Sequence, residues 1–120
     1  MAIKKILICD DSATDLENLK HALKDTECTL IVTTDGDEAI KKAKSERPDI
    51  IFMDIVMPGM DGYAACRALR DDPETKDIPV IFVSSKHQKA DRVWAQMQGA
   101  KSLIAKPYDP DEITAVLESF

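Results

Sequence analysis

The sequence predicts an α/β protein built on one open, doubly wound sheet of five parallel strands with helices on both faces. Two observations carry this. Short apolar runs and stretches of helical spacing alternate along the whole 120 residues. The runs are continuous and rich in β-branched side chains, which suits strands covered on both faces, as parallel strands are.

The elements follow in order. Ile6-Leu7-Ile8-Cys9 is the first strand, and Leu16, Leu19 and Leu23 mark the apolar face of the first helix at i, i+3, i+7. Leu30-Ile31-Val32 is the second strand, followed by a weaker helical stripe at Ala39, Ile40 and Ala43. Ile50-Ile51-Phe52-Met53 is the third, and Ala64, Ala65, Ala68 and Leu69 form a helix that starts after Gly59 and Gly62. Val80-Ile81-Phe82-Val83 is the fourth, with Val93, Trp94 and Met97 as the stripe of its helix. Leu103-Ile104-Ala105 is the fifth, and Ile113, Val116, Leu117 and Phe120 complete the last helix. Pro48, Pro73, Pro79 and Gly99 stand where helices should stop or strands begin. Asp109 is placed to cap the last helix, with Pro110 at its first position. The segment from Asp71 to Asp77 reads as a solvated charged loop. Right-handed crossovers then leave the flavodoxin-like strand order 2-1-3-4-5 as the natural topology.

Composition bounds the function. The expectation is a single domain over residues 1–120, with no output domain. Hydrophobic residues are 44% and charged residues 32%, a globular balance. Sixteen Lys plus Arg against 22 Asp plus Glu leave a net charge of −6, which repels phosphate backbones and argues against nucleic acid as a partner. No apolar run reaches the roughly 20 residues of a membrane span, and the start, Met1 to Lys5, followed by Ile6 to Cys9, is too short for a signal peptide. A cytoplasmic protein is expected, with no membrane insertion. Cys9, Cys28 and Cys66 lack metal-finger spacing and read as reduced thiols, while His21 and His87 read as surface histidines.

In such a sheet a site forms beyond the carboxyl ends of the strands. There the first strand ends in Asp10-Asp11, the third in Asp54, the fourth in Ser84-Ser85 and the fifth in Lys106-Pro107. If the first and third strands are neighbours, three carboxylates converge. Like charges about 5 Å apart repel by roughly 3 kcal/mol at an effective dielectric near 20. A divalent cation would offset that repulsion, and all-oxygen ligands favour Mg²⁺. Asp54 can then act as a nucleophile that forms an acyl phosphate, because carboxylates do so and phosphoryl transfer needs charge neutralisation and alignment above all. Mg²⁺, Lys106 and the Ser84 hydroxyl would each take one phosphoryl oxygen.

These residues resemble response-regulator receiver domains, the CheY-like family, from about Ile3 to Phe120. The resemblance is carried by Ile8-Cys9-Asp10-Asp11-Ser12, by Met53 to Gly62, by Pro79 to Ser84, by Gly99-Ala100 and by Lys106-Pro107. It implies that Asp54 is the phosphoacceptor for a phosphohistidine on a sensor histidine kinase. It implies that Asp11 and Asp54 ligate Mg²⁺ directly, with the Val56 backbone carbonyl, and that Asp10 acts largely through water. Ser84 then takes the switch position, Lys106 contacts the phosphoryl group, and the Lys106-Pro107 bond is cis. The partners implied are a CheA-like kinase and a protein target at the helix 4–strand 5–helix 5 face. Such a domain catalyses only its own phosphorylation and dephosphorylation, so no further enzymatic activity is expected.

One position departs from the family. Where the switch usually has Tyr or Phe, three residues before the lysine, this chain has Leu103. Asp54 to Gly59 together with Asp91 to Ala100 is similar to stand-alone receivers of the PilH type, which act in chemotaxis-like pathways controlling type IV pili and twitching motility. Other readings remain. A phosphate sink or a pseudo-receiver would keep the fold; the intact site argues against the latter, and Leu103 is the one residue that speaks for it. A Mg²⁺-dependent aspartyl-phosphate phosphatase would want a second Asp where Val56 stands. A flavin module would want a Ser/Thr/Gly-rich phosphate loop where Asp10-Asp11 stand.

Overall fold

The computed structural model describes residues 3–120; Met1 and Ala2, part of the start judged too short for a signal peptide, lie outside the described residues. The elements are β1 (Lys5–Cys9), α1 (Ala13–Leu23), β2 (Thr29–Thr33), α2 (Gly36–Glu46), β3 (Ile50–Met53), α3 (Gly62–Asp71), β4 (Val80–Ser84), α4 (Lys89–Met97), β5 (Ser102–Ala105) and α5 (Pro110–Glu118). All four strand pairings are parallel, and the order is β2-β1-β3-β4-β5. The order reverses between β1 and β3, where Cys9 pairs with Met53, so the two strands end side by side.

Alternation along the strands separates two cores. Leu7, Cys9, Ile51, Met53 and Phe82 pack under α2, α3 and α4 through Ala39, Ala43, Cys66, Leu69 and Ala95. Ile6, Ile8, Ile50, Phe52, Ile81 and Val83 pack on the other face against Leu16 and Leu19 of α1 and Ile113 and Leu117 of α5. The three central strands are thus covered on both sides, which is why they read as unbroken apolar runs.

Helix starts are written in capping residues. Ser12, Asp35, Asp61 and Asp109 each accept a backbone N–H from the first turn of the helix that follows. Pro110 opens α5 as expected, and Asp109 with Glu112 forms a capping box. The Lys106-Pro107 peptide bond is cis.

Four sequence expectations need correction. β2 is an edge strand, so Val32 is exposed and the run is not buried on both faces. On α4 the stripe Val93, Trp94 and Met97 faces outward, 50%, 44% and 68% exposed, and only Ala95 is buried. Spacing alone cannot tell which side of a helix the sheet will cover, and here a small residue allows the close approach. The Asp71–Asp77 segment is not simply solvated. Thr75 is buried with its hydroxyl on the Leu69 carbonyl at 2.7 Å, and Lys44 pairs with Asp72 at 3.0 Å. Phe120 lies beyond the end of α5 and is exposed.

Candidate functional site

The sheet itself aims the site residues. Asp10, Asp54 and Lys106 each follow the last residue of a strand, and the parallel ladder continues through their amides. Asp10 N–H donates to the Thr33 carbonyl at 3.3 Å, Asp54 N–H to Cys9 at 3.0 Å, and Lys106 N–H to Ser84 at 3.0 Å. Their backbones are therefore held by the most rigid part of the fold rather than by loops. Close packing behind them requires Gly62 at the start of α3, where an added Cβ would run into the Asp54 carbonyl oxygen and lie 2.8 Å from Ile55 Cα.

Asp10, Asp11 and Asp54 converge. One carboxylate oxygen from each lies within 4.8 Å of the others. Asp10 and Asp54 are buried, at 1% and 8% exposure, and Asp11 is open to solvent. Asp54 Oδ1 accepts the N–H of Ile55 at 2.7 Å and of Val56 at 3.4 Å, which fixes the carboxylate plane. Asp10 Oδ1 accepts the Ser12 N–H at 2.9 Å. Val56 lies two residues past Asp54 in the β3–α3 connection with its side chain exposed.

Lys106 bridges the acids. Its Nζ lies 2.8 Å from Asp10 Oδ2, 2.9 Å from Asp15 Oδ2 and 3.3 Å from Asp54 Oδ2. Burial pushes the Asp10 carboxyl above its ordinary range even though Lys106 and the Ser12 amide pull it down. Burial works against the Lys106 ammonium too, but its bonds to Asp10 and Asp15 and the charge of Asp54 outweigh this and raise it. The two directions conflict for a simple ion pair. They have different causes: burial raises Asp10, while the surrounding carboxylates raise Lys106 in a pocket that holds more negative than positive charge. Such an excess of hard oxygen donors fits a divalent cation, with Asp10, Asp11 and Asp54 as the side chains available to hold it.

Asp15 was not singled out from sequence. Only the apolar stripe of α1 was read there, yet α1 begins just past the end of β1, so an acid in its first turn opens onto the same mouth.

Ser84 ends β4 fully buried, with Oγ accepting the Lys86 N–H at 3.1 Å. From this loop a polar chain leads to α4. Lys86 Nζ sits 3.3 Å from Asp91 Oδ1, and Asp91 Oδ2 accepts the Gln88 N–H at 3.2 Å in the capping box of α4. Tyr63 Oη donates to Asp91 at 3.3–3.4 Å. The Tyr63 ring meets Phe82 of β4 edge-on at 5.6 Å and Trp94 at 6.3 Å. Leu103 is buried in the core under α4, and its carbonyl accepts Arg92 Nη1 at 3.0 Å. The aromatic that β5 lacks is thus matched by one on α3 that touches both β4 and α4.

A model of the response regulator receiver domain matches residues 6–118. The protein PilH of Pseudomonas aeruginosa is 38% identical over 115 residues, covering 96% of this chain and 95% of its own. The chemotaxis protein CheY4 of Vibrio cholerae superposes with a TM-score of 0.90 at 28% identity, covering 98% of both chains. The receiver domain of a sensor histidine kinase from P. aeruginosa, solved with a magnesium ion coordinated in its active-site cleft, gives 0.89 at 26% identity over 98% of this chain and 97% of that one.

Proposed function

We propose, for a chain that belongs to the response regulator receiver family, that Asp54 accepts a phosphoryl group from a CheA-like sensor histidine kinase and thereby switches the α4–β5–α5 face toward a protein target. The observation that carries this is the placement of Asp54. It is a nearly buried carboxylate within 4.8 Å of two others and 3.3 Å from a lysine ammonium. That environment suits charge-dense phosphoryl transfer better than any structural role.

Asp54 is the nucleophile. Asp10, Asp11, Asp54 and the Val56 carbonyl would hold Mg²⁺, which when bound neutralises charge on the transferred group. Lys106 moves from carboxylate partners to a phosphoryl oxygen, and the Ser84 hydroxyl binds another. Ser84 accepts the Lys86 N–H, so its turn toward the phosphoryl group draws the Lys86 backbone with it. Because Lys86 also pairs with Asp91, withdrawal of Ser84 pulls on the first turn of α4. Tyr63 transmits the same shift to Trp94 through ring contact, in place of the aromatic missing at Leu103. The change is a population shift whose size the partner's preference sets.

The relation to PilH supports a role in chemotaxis-like control of type IV pili and twitching motility, carried out in the cytoplasm. No helix among the described residues is long and apolar enough to cross a membrane. Leu103 supports one second reading, a pseudo-receiver interaction module whose α4 face does not respond to phosphorylation. The test is phosphotransfer from candidate kinases to the wild type and to Asp54→Asn, read by intact mass. One phosphoryl group on the wild type and none on the variant is expected; undiminished labelling of the variant would overturn the assignment.

A further inference from the structure

We propose that Asp15 is a positioning residue that restrains Lys106 and so slows phosphorylation of Asp54. This deepens the reading of Asp54 as phosphoacceptor and rests on it. Asp15 stands in the first turn of α1, not at a strand end, and does not belong to the three-acid cluster. Its Oδ2 nevertheless lies 2.9 Å from Lys106 Nζ, against 2.8 Å for Asp10 and 3.3 Å for Asp54. The pair is only partly open to water, with side-chain exposures of 15% for Lys106 and 34% for Asp15, so it is weakened but not abolished by solvent.

Lys106 has three carboxylate partners, and two of them, Asp10 and Asp54, are the same side chains that offer oxygens to a cation. Once a cation draws on those two, Asp15 is the partner that still competes with an incoming phosphoryl oxygen for the ammonium. Asp15 and Lys106 also line one cavity of about 520 Å³ between α1 and the β5–α5 connection, so the lysine has open space on its Asp15 side. Asp15 has no such hold on the backbone of its helix. The capping bond there runs from its N–H to Ser12 Oγ and survives a side-chain change.

An acyl phosphate isolates the step. An Asp54 carboxylate oxygen attacks phosphorus, the bond from phosphorus to the acetate oxygen breaks, and acetate leaves with the electron pair. The Asp54 acyl phosphate is the other product. Wild type, Asp15→Asn, Asp15→Glu, Lys106→Met and the Asp15→Asn/Lys106→Met double variant are treated with acetyl phosphate and Mg²⁺, and the rate of Asp54 phosphorylation is followed by mass. Release of one partly exposed ion-pair partner predicts a rate gain of roughly three- to fivefold for Asp15→Asn. Asp15→Glu, which keeps the charge, should stay near wild type. In the Lys106→Met background the gain should fall below about twofold, because the two residues act as one unit. An unchanged or slower Asp15→Asn, or the full gain persisting without Lys106, would overturn the inference. Absence of label on the wild type, or equal label on Asp54→Asn, would instead overturn the phosphoacceptor reading.

Discussion

Removing one negative charge from the cluster should stabilise the metal-free protein, and Asp11 is the residue to change. Asp11 has no ion pair with Lys106, whereas Asp10 and Asp54 both do, so Asp11→Asn removes repulsion without removing attraction. Two like-charge neighbours stand within 4.8 Å of it. Each such contact is worth about 3.5 kcal/mol at a dielectric of 20 and about 0.9 kcal/mol at that of water. Because Asp11 is exposed, screening puts the sum near the lower end, about 1–2 kcal/mol. Each kcal/mol moves Tm by about 3–6 °C for a domain of this size. Thermal and urea denaturation in EDTA should therefore show Asp11→Asn as more stable than the wild type. Mg²⁺ at ten times its dissociation constant should then add about 1.4 kcal/mol to the wild type and, if Asp11 serves as the proposed ligand, much less to the variant. The gap closes or inverts. A variant less stable than wild type in EDTA, or a gap indifferent to Mg²⁺, would refute the electrostatic reasoning.

Lys106→Met leaves Asp10 buried without its cation and should cost about 3–5 kcal/mol in EDTA at neutral pH. Asp10 is an acid whose folded pKa is raised, so its protonation favours the fold. Its contribution is fully present below the unfolded value and is lost as pH rises through the folded one, and the penalty of Lys106→Met should accordingly shrink in denaturation curves recorded at acid pH. Gly62→Ala should destabilise by about 1–3 kcal/mol in urea titrations, because the new Cβ overlaps the Asp54 carbonyl oxygen. Of the three free thiols, Cys9 and Cys66 are buried and pushed up by that burial, Cys9 to about 12, so a thiol reagent near pH 8 should titrate Cys28 first and the other two only on unfolding.

Most of the fold and much of the cluster were legible because strand ends in a parallel sheet are fixed by short-range pattern. Buried central strands leave continuous apolar runs, and the residue after each run lands at the mouth of the sheet. Asp10, Asp54, Ser84 and Lys106 could be placed together on that ground alone. Asp15 could not, because its role depends on where the long Lys106 side chain comes to rest, a tertiary fact with no local signature. The outward turn of Val93, Trp94 and Met97 escaped for a related reason. Periodicity gives a helix its stripe, but whether the sheet covers that stripe depends on how α4 docks, and it docks through Ala95. Tyr63 reads in sequence as one more residue of α3. Only packing reveals that it joins Phe82 to Trp94 and Asp91.

Trp94 is the single tryptophan of the chain, so selectively excited tryptophan emission reports on α4 and its Tyr63 contact. The most direct test of the switch is that emission on addition of acetyl phosphate and Mg²⁺, with Asp54 occupancy followed by mass in the same samples. The account predicts a change that tracks phosphorylation in the wild type, requires Mg²⁺, is absent in Asp54→Asn and is blunted in Ser84→Ala. An identical change in Asp54→Asn, or a fully phosphorylated wild type whose Trp94 emission does not move, would contradict it.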